Sequence, residues 1–139
     1  MRNQKILKAK NQDKIKEIYE KYITILENNP SVKIGETYKS IRDVVEKAGL
    51  GAFKMYLKVI EIRPLEDYKL WCRLMTGETK IYDFTPHLDY GIYQILKDKS
   101  IFNTVSCPSG VPAWINEETG LEIDIGISWI LIDGVDVVE

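Results

Sequence analysis

Apolar and polar positions alternate with two different periods along this chain. From Asp13 to Leu26 the apolar residues Ile15, Ile18, Tyr19, Tyr22, Ile25 and Leu26 recur at spacings of three and four. Lys14, Lys16, Glu17, Glu20 and Lys21 fill the other positions, which is the pattern of an amphipathic helix. Asn28-Asn29-Pro30 ends it, because a proline pushes the residue before it out of the helical region. A second helix is predicted over Glu36 to Ala48, with Ile41, Val44, Val45 and Ala48 inward and Gly49 as its C-terminal glycine. Together they form a helical hairpin over residues 1–50. Its apolar stripes need cover from the rest of the chain or from a second copy, so a homodimer is one expected assembly.

Beyond Met55 the period shortens to two. Tyr56 to Ile62 reads as a strand that ends at Arg63-Pro64. Tyr68 to Met75 and Glu78 to Phe84 flank Thr76-Gly77, a two-residue hairpin signal. Thr85-Pro86 opens a helix, with threonine at the cap and proline in the first turn; Leu88, Ile92, Ile95 and Leu96 form its inner face. Short extended pieces follow Phe102, and Leu121 to Ile125 alternates as a half-buried strand should. The run Ile127 to Ile132 fits strand or helix equally. The expected fold class is α+β: the hairpin, then over residues 51–139 a small, mostly antiparallel sheet domain with one packed helix and an acidic C-terminal segment.

The length of 139 residues suits one domain, or one domain with an appendage, enough to bury a core without disulfides or metals. An apolar share of 45% and a charged share of 29% exclude a disordered chain. No apolar run approaches the roughly 20 residues of a membrane helix. The lysine-rich start, Met1-Arg2-Asn3-Gln4-Lys5, is no secretory signal, so a cytoplasmic protein with no membrane partner is expected. Cys72 and Cys107 form no C-x-x-C pair, and Cys72 in its apolar run reads as a buried, inert thiol.

Tyr68-x-Leu70, the hairpin with Gly77-Glu78, Tyr82-Asp83-Phe84, Pro86, Gly91-x-x-x-x-Leu96, Phe102, Val105, Trp114 and Ile123 follow one another in an order that resembles a known family. It is a widespread bacterial domain family of unknown function, family twenty-four forty-two. The likeness runs over about eighty residues, from near Met55 to near Ile132. It implies a compact α+β domain encoded by bacteria and mobile elements, whose members often lie beside genes that look like toxin–antitoxin pairs. It carries over no catalytic residue, and it covers neither the first fifty residues nor the acidic tail.

Candidate chemistry is sparse. His87, the only histidine, stands beside Asp89 just inside the predicted helix start. A general base there is conceivable from its near-neutral pKa, but a surface histidine at a helix terminus is the favoured reading. Asp83, Asp89 and Asp98 bracket the same helix; paired carboxylates run acid–base chemistry or bind hard cations. Asp83, two residues ahead of a helix start, is instead placed to accept free N–H groups. One histidine and two separated cysteines give no zinc spacing, and no phosphate loop, G-x-S-x-G elbow or H-E-x-x-H occurs. No metal, no cofactor and no enzymatic activity are expected. Trp71 and Trp114 are expected in the core; Trp129 fits a core or a recognition surface.

Charge matters only once the chain is divided. Residues 1–50 hold eleven Lys/Arg against seven Asp/Glu, net +4, and residues 51–139 hold eight against fourteen, net −6. No cation follows Lys99, while Glu117, Glu118, Glu122, Asp124, Asp133, Asp136 and Glu139 do. An acidic surface of this kind resembles a phosphate backbone and steers association; acids placed for solubility are the competing reading. The first expectation is therefore a non-enzymatic inhibitor or antagonist, antitoxin-like or anti-CRISPR-like. It would bind another protein's basic, nucleic-acid-handling surface through Glu117, Glu118, Glu122, Asp124, Trp129, Asp133 and Asp136. The alternative is a small DNA- or RNA-binding regulator that uses Arg2, Lys5, Lys8, Lys10, Lys14 and Lys16, against which the pI near 5.5 argues.

Overall fold

The computed structural model describes residues 16–29, 34 and 36–137, with the backbone alone for residues 50–53. Ile15, Arg2, Lys5, Lys8, Lys10, Lys14 and Glu139 lie outside the described residues. Residues 16–27 are helical (α1). Tyr19, Tyr22, Ile23 and Leu26 are its buried positions, while Ile18 and Ile25 are half-buried. The buried stripe is thus centred on Tyr22 and includes Ile23, one position round from the predicted one.

Helix α2 covers Ile41–Lys54 rather than starting at Glu36. Ser40 sets the start: its Oγ accepts the Asp43 N–H at 3.1 Å, while Asp43 Oδ2 accepts the Lys39 N–H at 3.0 Å, a variant of the capping box. Ile41 and Val44 are buried, Val45 is half-buried, and Ala48, predicted inward, is exposed. Gly49 breaks the helix at φ 86°, ψ 175°, after which helical backbone resumes to Lys54. Arg42 ties the two helices together, donating to both Glu20 carboxylate oxygens at 2.9 and 2.7 Å. Contacts divide the chain into two units, Met1–Tyr56 and Leu57–Glu139.

The second unit contains helices and two antiparallel sheets. Strands β1 (Val59–Leu65), β2 (Lys69–Leu74), β3 (Thr79–Asp83) and β6 (Val135–Asp136) stand side by side in the order β1-β2-β3-β6. β4 (Ala113–Asn116) and β5 (Leu121–Asp124) make a separate ribbon. Along β2 the alternation is complete: Leu70, Cys72 and Leu74 are buried, while Lys69, Trp71 and Arg73 face the other way. β1 starts at Val59 rather than Tyr56, since Met55–Leu57 is a 3₁₀ turn, and it runs through Pro64 instead of ending there, because an edge strand has a free side on which a missing N–H breaks no ladder. A register slip between Val59 and Glu61 bulges Ile60 outward. Residues 75–78 join β2 to β3, and the turn closed between Leu74 and Glu78 has three residues, not two. Gly77 N–H donates to Leu74 O, Leu74 N–H donates to Glu78 O, and Gly77 takes φ 88°, the geometry of a turn closed by a glycine bulge.

The helix predicted from Thr85 to Leu96 is replaced by two 3₁₀ turns, Thr85–His87 and Gly91–Lys97, followed by the short helix α3, Lys99–Phe102. Leu88 and Leu96 are buried, but Ile92 and Ile95 are 65% and 44% exposed. Three residues per turn put positions 92 and 95 on one face, here the outer one. The undecided run Ile127 to Ile132 is helical: α4 spans Ile127–Asp133 and buries Ile127, Ile130 and Leu131. Phe84 sits at the centre of the core, with Trp114, Tyr93 and Phe102 at ring distances of 5.3, 5.5 and 6.1 Å. Trp114 is wholly buried and its indole N–H donates to Phe102 O at 2.8 Å.

Candidate interaction site

The ribbon concentrates charge for a simple reason. Trp114 pairs with Ile123 and both point into the core, so the period of two turns the intervening side chains of β5, Glu122 and Asp124, outward. Asn116 builds the turn between the strands, its Oδ1 accepting N–H groups of Glu118 at 3.0 Å and Thr119 at 3.4 Å. Glu117 and Glu118 are thereby held at the exposed tip. Ile115 lies opposite Glu122 and is 49% exposed. Four carboxylates and one apolar side chain thus share one two-stranded element. Among the described residues none of the four carboxylates is in an ion pair.

The other three expected contact residues are elsewhere and are differently employed. Asp136 on β6 pairs with Lys80 at 2.8 Å. Lys80 is only 3% exposed and has Glu78 at 3.6 Å as a second neighbour, so Asp136 neutralises a buried cation. Asp133 is exposed at the end of α4, and its charge bears on Tyr82 and His87. Trp129 stacks on the His87 ring at 4.4 Å with 18° between planes. Of the alternative basic set, Lys16 is exposed on α1; the rest lie outside the described residues.

His87 is not the surface histidine expected. It is half-buried between Trp129 and Tyr82, with Tyr93 at 6.3 Å. Its Nε2 shares a hydrogen bond of 2.5 Å with the Tyr82 hydroxyl. Burial pulls the His87 pKa below its ordinary value against the opposing charges of Asp133 and Asp83. The Tyr82 hydroxyl is held far above its ordinary range, first by burial and then by Asp133 and Asp83. The Tyr82 hydroxyl thus occupies Nε2, the ring nitrogen on that side.

The bracketing carboxylates are also employed locally. Asp83 Oδ1 accepts the Thr85 N–H at 3.0 Å. Asp98 caps α3 through Ser100 N–H and Oγ at 2.9 and 2.6 Å. Asp89 pairs with Lys97 at 2.8 Å. The hydrogen bonds to Thr85 and Ser100 hold Asp83 and Asp98 below the usual carboxylate range. Cys72 is buried, and burial pushes its thiol up to about 12. Trp71, expected in the core, is instead half-buried on the opposite sheet face, with Arg63 at 4.8 Å and Arg73 at 5.4 Å from its ring. The cross-strand register places Arg63 directly opposite it, which periodicity alone does not reveal. No helix among the described residues is long and apolar enough to cross a membrane. No family model, no curated protein and no solved structure matches the chain.

Proposed function

We propose that this protein is a non-enzymatic inhibitor or antagonist that docks its β4–β5 ribbon onto the basic surface of a nucleic-acid-acting protein. One observation carries the reading: Glu117, Glu118, Glu122 and Asp124 are exposed on the same two-stranded element as the exposed Ile115, which lies opposite Glu122, with no ion pair of their own among the described residues. An apolar centre ringed by charge is the layout of a protein-docking patch, and a single sign of charge raises encounter rates with a basic partner. Asp136 is left out of the contact set because Lys80 occupies it. Trp129 is left out because it covers His87. The likeness of residues 55–132 to family twenty-four forty-two, and the mobile-element setting it implies, belong to the same proposal.

The test compares capture from a bacterial lysate by the wild type and by a variant carrying Glu117→Gln, Glu118→Gln, Glu122→Gln and Asp124→Asn. A protein retained by the wild type, lost with the variant and displaced by added duplex DNA supports the reading. Equal retention by both proteins, undisturbed by DNA, removes it. A direct gel shift of duplex by the protein itself favours the nucleic-acid-binding alternative instead.

A further inference from the structure

The turn between β1 and β2 is built against the preferences of its residues. Leu65 pairs with Lys69, leaving Glu66, Asp67 and Tyr68 to reverse the chain. Asp67 takes φ 59°, ψ 32° and Tyr68 takes φ 60°. Left-handed backbone is easy for glycine or asparagine and costs a tyrosine on the order of 1–2 kcal/mol. External bonds hold it there. The Phe84 N–H donates to Tyr68 O at 3.0 Å, Thr85 Oγ1 donates to Asp67 O at 3.3 Å, and the Tyr68 hydroxyl donates to Lys97 O. The ring stands edge-on to Phe102 at 5.2 Å and 75°, with Lys99 Nζ 5.6 Å from its centroid. A strained conformation fastened at both carbonyls and at the hydroxyl keeps an aromatic ring where a glycine would make an easier turn.

That ring bounds a cavity of about 470 Å³, within the size range of small-molecule sites. Its wall carries Glu66 and Asp67 on the turn, and Lys99 and Asn103 from and just after α3. Glu66, Asp67 and Lys99 are in no ion pair among the described residues. Their neighbours behave otherwise: Lys97 is paired with Asp89, and Asp98 caps its own helix. Opposite charges therefore line one cavity without neutralising each other. A simple anion entering it meets two carboxylates, and a simple cation meets the Lys99 ammonium. A ligand that carries both signs, with positive charge in excess, satisfies all three.

We propose that this cavity binds a basic amino acid. Its carboxylate lies toward Lys99 and the Asn103 amide, its cationic groups toward Glu66 and Asp67, and its methylenes along the Tyr68 ring. The site shares no residue with the acidic ribbon, so the two readings stand or fall separately.

The experiment is a titration of the full chain, followed by amide NMR shifts, with L-lysine, L-arginine, cadaverine (the cations without a carboxylate) and glutarate (carboxylates without a cation). Saturable shifts at Glu66–Tyr68 and Lys99–Asn103 with lysine or arginine are expected, with cadaverine and glutarate at least about tenfold weaker, since each loses charge-assisted contacts. Lys99→Gln and the pair Glu66→Gln with Asp67→Asn, all exposed positions, should each weaken binding about tenfold or more on the same grounds. Tyr68→Gly suits the turn backbone and should remove binding while the shifts of β1 and β2 persist. Absence of saturable shifts with both amino acids overturns the proposal. So does cadaverine binding as tightly as lysine, or binding unchanged in Lys99→Gln and in the paired carboxylate variant, whatever the fate of Tyr68→Gly.

Discussion

Trp114 shows how much one side chain can hold together. Its indole fills the space between Phe84 and Phe102 and ties its N–H to the Phe102 carbonyl. Trp114→Ala should cost about 3–5 kcal/mol, the usual range for emptying a large aromatic site; a urea melt followed by far-ultraviolet dichroism measures it, and a loss below about 1 kcal/mol would place the ring outside the core. His87 makes a claim about acid. Its folded pKa lies below the ordinary 6.5, so the unfolded chain binds a proton in a range where the folded chain does not. Stability from the neutral ring is complete above the ordinary value and falls as pH drops through it toward the folded value. Asp133, Asp83, Tyr82 and Tyr93 face the ring. The two carboxylates temper the effect but do not reverse it. The wild type should therefore lose more Tm between pH 7.5 and 5.5 than His87→Gln, which keeps a partner for the Tyr82 hydroxyl. Equal losses would remove the linkage.

At the scale of elements, β2, β3 and β5 were legible, while the start of β1, the short β6 and the 85–97 segment were not. β2 and β5 alternate so strictly that one buried face fixes their register. Thr85-Pro86 carries a sound helix-start signal, yet Gly91 at φ 40° divides the segment and tightens the rest into 3₁₀ turns, which no apolar spacing announces. The run Ile127–Asp133 was ambiguous because nearly every position is apolar; only docking against β3 selects the helix. For the same reason the acidic residues were legible as a list but not as a site. Sequence shows neither that Asp136 meets Lys80 nor that Trp129 covers His87. The glycines at the two ends of α4 offer a matched test. A Cβ on Gly134 would meet Ile130 O at 2.3 Å, while one on Gly126 meets nothing within 4 Å. Gly134→Ala should cost about 1–3 kcal/mol by crowding and speed exchange of the Val137 amide, which bonds Thr79 O. Gly126→Ala should cost less than about 1 kcal/mol, because its φ of −71° suits alanine while its N-cap position is one that alanine fills less well than glycine. Equal behaviour of the two variants would contradict the geometry.

For the whole molecule, the division of charge sets how it meets other molecules. If the ribbon docks, wild-type association with its partner should slow as salt rises, since the Debye length is roughly 8 Å at physiological ionic strength and shorter above it. The ribbon-neutralised variant should associate slowly at every salt concentration. Acids that serve solubility alone predict salt-insensitive rates, identical for both proteins, and earlier aggregation of the variant; stopped-flow rates at two salt concentrations separate the cases. The edge of the larger sheet bears on association in another way. A sheet whose outermost strand is straight and fully hydrogen-bonding on its free side offers a ready template to any passing chain. Here that strand is kinked by the bulge at Ile60 and lacks a donor at Pro64, so an incoming strand cannot continue its ladder without a break. At this border the backbone itself, rather than surface charge, works against strand-to-strand polymerisation.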